Sequence, residues 1–311
     1  MENGRLPALR SAATPVLGVC GATKAERSAL LAFLARELVG HGLKAAVIRE
    51  VPEQDPSRLC DLILVEGDHR LPAVIWLEDG GKLPPEAGSP LRFFGPERRK
   101  EKVLAFLLEW IATVWRQTPV WGCVLIGGKS SRMGQPKHLL KDQGGMSWLE
   151  RTVRLLRPFV AGLVLSGEGD VPGSMQELIR LPDIPDVAGP LSGILAAMRL
   201  YPAVSWLLVA CDMPDIKENA VRWLLDRRRP GVWGTVPRLQ EDGHVEPLLA
   251  HYDFRCAALF EDLLRTDCLR IGMVAANPEV ESPLVPERMR SSWRNVNTVE
   301  ELHAESKEQS I

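Results

Sequence analysis

At 311 residues the chain is long enough for two ordinary domains, and with 45% apolar and 25% charged residues it has the balance of a globular protein. A formal net charge of -2 gives no bulk electrostatic reason to expect a nucleic-acid polymer as partner. No apolar segment reaches the roughly 20 residues that span a bilayer. Arg5 and Arg10 ahead of a short apolar stretch have the superficial outline of a secretory signal, but that stretch reads better as a first buried strand followed by a glycine loop. The six cysteines are scattered with no C-x-x-C pair, which argues against a zinc knuckle or a dense disulfide framework and for a reducing cytoplasm.

In chain order, Val16-Leu17-Gly18-Val19 is an apolar strand, Gly21-Ala22-Thr23-Lys24 a turn, and Ala25 to Val39 a helix with apolar residues at helical spacing. Gly42 ends that helix. Strands follow at Ala45–Ile48, Leu62–Val65 and Ala73–Leu77, then a Gly/Pro-rich stretch from Gly80 to Pro96 and a helix from Glu97 to about Gln117. After Thr118-Pro119 the pattern starts again: strand Val120–Ile126, a glycine loop, a helix over Ser147–Leu156, and a strand at Leu163–Leu165. A helix near Leu191–Leu200 and a strand Trp206–Ala210 running into Cys211-Asp212 complete it. Continuous apolar strands alternating with helices predict an α/β protein of two doubly wound domains, 1–117 and 118–311, each with a mostly parallel sheet covered on both faces. The charged tail after Glu300 reads as a final helix fraying at its end.

Each half opens with a glycine loop. The first, Gly18-Val19-Cys20-Gly21-Ala22-Thr23-Lys24-Ala25, approaches the phosphate-binding pattern G-x-x-x-x-G-K-[ST] but has Thr23 for the last glycine and Ala25 for the magnesium-ligating hydroxyl. An ordinary strand-to-helix turn and a nucleotide site are both open at this point. The second is denser in chemistry. Gly127 and Gly128 let backbone amides approach an anion without a Cβ in the way, Ser130 and Ser131 offer hydroxyls, Arg132 a planar fork and Lys137 a mobile point charge. Asp212 ends a buried strand, where a carboxylate faces the crevice at the sheet's carboxyl edge.

The run from Leu125 to Lys137 resembles the L-x-G-G-x-S-x-R-M-G-x-x-K signature of nucleotidyltransferases, and within these the molybdenum cofactor guanylyltransferases. Pro182-Asp183, Gly189-Pro190-Leu191-Ser192-Gly193, Ala210-Cys211-Asp212-Met213-Pro214, Glu246-Pro247-Leu248 and Asn295-Val296-Asn297-Thr298 come after it in the same order. The resemblance covers residues 120–305 and implies a Rossmann-like nucleotidyltransferase domain. Its implied reaction is attack by the terminal phosphate of molybdenum-molybdopterin on the α-phosphorus of GTP, with Mg2+ as cofactor. By the same resemblance Lys137, Arg132 and Asp212 are catalytic and Asp212 holds the metal. Leu125, Ile126, Gly127, Gly128, Lys137, Asp183, Gly189, Pro190 and Asp212 bind the nucleotide, and Glu246 and Asn297 lie toward the pterin. Gly128 and the Asp-Met-Pro run favour the guanylyl branch over the cytidylyl branch, which usually shows L-A-A-G. Two positions depart: Pro136 replaces an aspartate, and Gly167-Glu168 stands where an asparagine contacting the base is common. Related alternatives are a CTP-using enzyme or a non-enzymatic cofactor carrier.

The first half resembles, in shortened form, the P-loop adaptor of molybdopterin dinucleotide synthesis. Only Glu50 to Leu59 separate two of its strands, and with the altered loop this implies weak GTPase activity. It implies instead docking to the molybdopterin-supplying protein or to the recipient apoenzyme. Trp233 and Trp293 fit either an interface or a core.

Overall fold

The computed structural model describes residues 14–49, 60–68, 70–71, 73–79, 92–126, 136–142, 144–241 and 243–296. The chain divides into two compact units, Met1–Thr118 with Arg229–Gly231, and Pro119–Arg228 with Val232–Ile311.

In the first unit, β1 (Val16–Gly21), β2 (Ala45–Ile48), β3 (Leu62–Glu66), β4 (Val74–Leu77) and β5 (Arg92–Phe94) form a parallel sheet in the order β2-β3-β1-β4-β5. Helices α1 (Lys24–Gly40) and α2 (Arg99–Gln117) pack on it. Leu17, Leu62, Leu64, Ile75 and Leu77 are buried with Leu30, Leu31, Leu34 and Leu38 of α1 and Val103, Leu107 and Ile111 of α2. Each such side chain removed from water contributes about 1.5–3 kcal/mol. The Gly/Pro-rich reading of residues 80–96 is corrected at its end: β5 forms there, because Phe94 has an apolar pocket and Trp76–Leu77 offer a free edge for parallel pairing. Three residues carry too little pattern to announce a strand.

In the second unit the strands are β6 (Val120–Leu125), β7 (Gly162–Ser166), β8 (Ile179–Leu181), β9 (Ser205–Ala210), β10 (Gly234–Thr235), β11 (Leu249–Tyr252) and β12 (Val280–Glu281). Their order is β12-β10-β11-β9-β6-β7-β8. Strands β9, β6, β7 and β8 run parallel, while β11 returns antiparallel beside β9, so the doubly wound core carries a mixed extension on one side. Helices α3 (Trp148–Leu156) and α5 (Glu218–Leu225) bury most of their apolar residues in one cluster, and α4 (Pro190–Leu200) and α6 (Cys256–Arg265) bury theirs in another. Trp233 and Trp293 are core residues, each about 1% exposed. No helix among the described residues is long and apolar enough to cross a membrane.

Candidate active site

The first glycine loop is spent on its own helix. Thr23 caps α1, its hydroxyl accepting from the Glu26 amide at 3.3 Å, while the Glu26 carboxylate takes the Thr23 amide at 3.0 Å. The Glu26 carboxylate therefore occupies the Thr23 amide, and the Thr23 hydroxyl the Glu26 amide, at the helix N-terminus an anion would seek. Arg27 donates to the carbonyls of Gly21 and Ala22 at 2.9 and 3.0 Å, and Lys24 is exposed.

The second unit holds a cavity of about 830 Å3 at the carboxyl edge of its parallel strands. It is built strand by strand. Leu125 ends β6 and Ile126 follows it, the Ile126 amide donating to the Ser166 carbonyl at 2.8 Å and the Cys211 amide to the Leu125 carbonyl at 3.1 Å. Ser166 ends β7, and Asp212 lies just past β9. Gly189 and Pro190 open α4, with glycine at φ 71° and proline at the first helical position, where its missing N–H costs nothing. Gly193 lies one turn in. A Cβ there would meet the Ser166 Oγ at 2.7 Å and Leu125 Cδ2 at 2.8 Å, so a hydrogen is what lets this helix approach the strand ends.

Lys137 reaches the same cavity from a short 3-10 turn, Lys137–Leu139, and its Nζ lies 3.0 Å from Asp212 Oδ2. The turn is tied down on its far side, where Leu140, Trp148 and Val296 share a small apolar cluster. The Val296 amide donates to the Asp212 carbonyl at 3.0 Å, so the same cluster steadies both partners. Cys211 also lines the cavity. Burial first, and Asp212 second, push its thiol up to about 12, which keeps it protonated and unfit as a nucleophile.

Of the expected residues, Leu125, Ile126, Lys137, Asp183, Gly189, Pro190 and Asp212 all line this one cavity. Gly127, Gly128, Arg132 and Asn297, with the tail after Glu300, lie outside the described residues. Glu246 is half-buried and is not among the lining residues, although Leu248, two positions on, is. Burial raises its carboxyl above the usual range. Ser166, Val187 and Ala188 line the cavity too, and no motif points to them. Ser166 carries one usable signal, a hydroxyl at the carboxyl end of an apolar strand.

Magnesium is commonly held by one or two carboxylates plus phosphate oxygens and water, not by an all-protein cage. Asp212, a partly exposed carboxylate on the wall of this cavity, fits that donor set and is the residue that would hold the ion.

Residues 122–274 match the family model of the MobA-like NTP transferase domain. The chain is 36% identical over 144 residues to a probable molybdenum cofactor guanylyltransferase of Pelotomaculum thermopropionicum, covering 46% of this chain and 68% of that one. It is 35% identical over 146 residues to a molybdenum cofactor biosynthesis bifunctional protein of Synechocystis, covering 46% of this chain but only 42% of that protein. Among solved structures, molybdopterin-guanine dinucleotide biosynthesis protein A of Archaeoglobus fulgidus superposes with a TM-score of 0.51 at 25% identity, covering 61% of this chain and 98% of that one. Sequence and fold thus converge on the half of the chain that holds the cavity, and the chain belongs to the MobA-like NTP transferase family.

Proposed function

We propose that the protein transfers GMP from GTP to molybdenum-molybdopterin, forming the guanine dinucleotide cofactor and pyrophosphate. The observation that carries this is the Lys137–Asp212 pair on the wall of the strand-edge cavity. An oxygen of the pterin's terminal phosphate forms a bond to the α-phosphorus as the bond to the β-phosphate's bridging oxygen breaks, and pyrophosphate leaves with that electron pair. The nucleophile is already ionised, so no general base is required.

Such chemistry depends on positioning and charge neutralisation. Lys137, held by Asp212 through a 3.0 Å contact, presents its ammonium to the α-phosphate and to the departing pyrophosphate. Gly189 and Pro190, at the N-terminal end of α4, line the cavity, and the positive end of that helix favours negative charge there. Asp212 would hold magnesium, which would supply further charge neutralisation when bound. Arg132 adds a second cation by its place in the signature. We assign Glu246 and Asn297 to the pterin side on the same ground, and the first unit to docking the protein that supplies molybdopterin or the enzyme that receives the product. The reaction is placed in the cytoplasm, in keeping with six free cysteines, five of them buried.

Purified protein incubated with molybdenum-molybdopterin, magnesium and each nucleoside triphosphate in turn is expected to release pyrophosphate and form dinucleotide with GTP. A preference for CTP overturns the reading, and binding without turnover would make the protein a carrier.

A further inference from the structure

Lys137 carries its ammonium on a flexible four-carbon stem, so where that ammonium reaches depends on where the backbone of its turn stands. A 3-10 turn of three residues has little with which to fix itself. Its own bonds run from the Leu139 amide to the Pro136 carbonyl and from the Leu140 amide to the Lys137 carbonyl, each at 3.0 Å. One flank is held by Leu140, which packs with Trp148 and Val296 and accepts from the Trp148 amide at 2.8 Å. The other flank is held by His138.

His138 is 2% exposed, and its Nε2 lies 2.7 Å from the Asp170 carbonyl. A carbonyl only accepts, so Nε2 carries a proton and donates it to this bond. The acceptor is braced. The Gly167 amide donates to the Leu181 carbonyl at 3.1 Å and Arg180 Nη2 to the Gly169 carbonyl at 2.6 Å, which ties the segment ahead of Asp170 to β8. Gly169 lies against the imidazole itself: its φ is +131°, and a Cβ there would come within 3.2 Å of Cε1. The ring is thus seated closely and aimed at one carbonyl, and it stands one peptide bond from the lysine that faces the cavity. His138 is not among the residues that line that cavity.

From this geometry we propose that His138 is a positioning residue for nucleotidyl transfer, acting through Lys137 alone. The assignment rests on the reading of Lys137 as the cation that meets the phosphates, and it names the group that aims it. Without the bond to Asp170 the turn loses one of its two flanks. A misplacement of about 1 Å at a reacting group costs about 100-fold in rate. Lys137 acts on charge that develops as pyrophosphate departs, so the loss falls on kcat and not on nucleotide binding.

The test is pyrophosphate release with molybdenum-molybdopterin as acceptor and whichever nucleoside triphosphate the wild type turns over, with the thermal midpoint measured alongside. His138→Ala should lower kcat about tenfold or more and leave the nucleotide KM within about twofold of wild type. His138→Gln, whose side-chain amide nitrogen reaches as far as Nε2, should restore kcat to within about threefold of wild type. His138→Asn, whose amide ends short of the carbonyl, should not. In a Lys137→Ala background, His138→Ala should cost nothing further, because the group it aims is gone. The assignment is overturned by a raised KM at unchanged kcat, or by a further tenfold loss in the Lys137→Ala background. It is equally overturned by a Gln variant that keeps the wild-type midpoint yet is as slow as Asn. Should His138→Ala not fold, the Gln and Asn variants decide by the same comparison. A wild type idle with every nucleoside triphosphate removes the transfer reading and this assignment with it, whereas a preference for CTP removes the guanylyl reading alone.

Discussion

The Lys137–Asp212 contact is not there for stability. Partly exposed ion pairs contribute about 0–1 kcal/mol, and holding two side chains in one geometry offsets even that. Its value lies in where it leaves the ammonium, on the wall of a cavity built from strand ends. His251 is the opposite case, a residue whose chemistry bears on stability alone. It is fully buried in β11, and burial first, then the positive charge of Arg228, hold its imidazole well below the usual 6.5. The native state therefore binds fewer protons than the unfolded chain, so the histidine's contribution is present above pH 6.5 and lost as pH falls below that value. We expect the wild type to lose stability below pH 6.5 by about 1.4 kcal/mol per pH unit more than His251→Phe, as read from urea unfolding across that range.

At the scale of elements, the site is made of the places where strands stop. That explains what sequence discloses and what it hides. The long apolar strands β6, β7 and β9 announce themselves, and the residues just past them, Asp212 above all, are found by looking at the position where each apolar run gives out. Strands of two or three residues such as β8, β10 and β12 carry no measurable period, so the β8 edge and the mixed extension beyond β9 are visible only in three dimensions. Ser166 is hidden for another reason: its relevance depends on Gly193 letting α4 come close, a contact between residues 27 positions apart. The turn at Gly167 allows a sharper prediction. A Cβ there would sit 1.8 Å from the Ile126 carbonyl at a φ of +115°. Gly167→Ala should therefore displace the end of β6 or the adjoining loop. We expect a fall in kcat/KM for GTP of about tenfold or more, with a loss of thermal stability equivalent to about 1–2 kcal/mol.

Taken whole, the protein joins two α/β units that both place a glycine loop after a first strand and then use it differently. In the first, Thr23 and Glu26 close the helix N-terminus on themselves. In the second, the strand-edge cavity stays open and Lys137 faces into it. The sequence points to this division through two missing positions, Thr23 and Ala25, but leaves the choice between turn and nucleotide site open. The capping carboxylate favours the turn, because a phosphate arriving there would compete with Glu26 for the Thr23 amide. Nucleotidyl transfer should thus fall about 100-fold or more in Lys137→Ala and be unchanged in Lys24→Ala, measured as pyrophosphate released from GTP. Equal losses in the two variants would contradict that division of labour.

The three-residue turn Lys137–Leu139 has one more consequence. Its first residue holds the reacting end of the cavity through Asp212, and its second, His138, holds the Asp170 carbonyl of the loop that carries Glu168. A single peptide link therefore joins the contact to Asp212 with the contact to the loop after β7. Any displacement of this turn should therefore reach the Asp212 wall and the loop after β7 at once, as a coupled shift and not two separate ones.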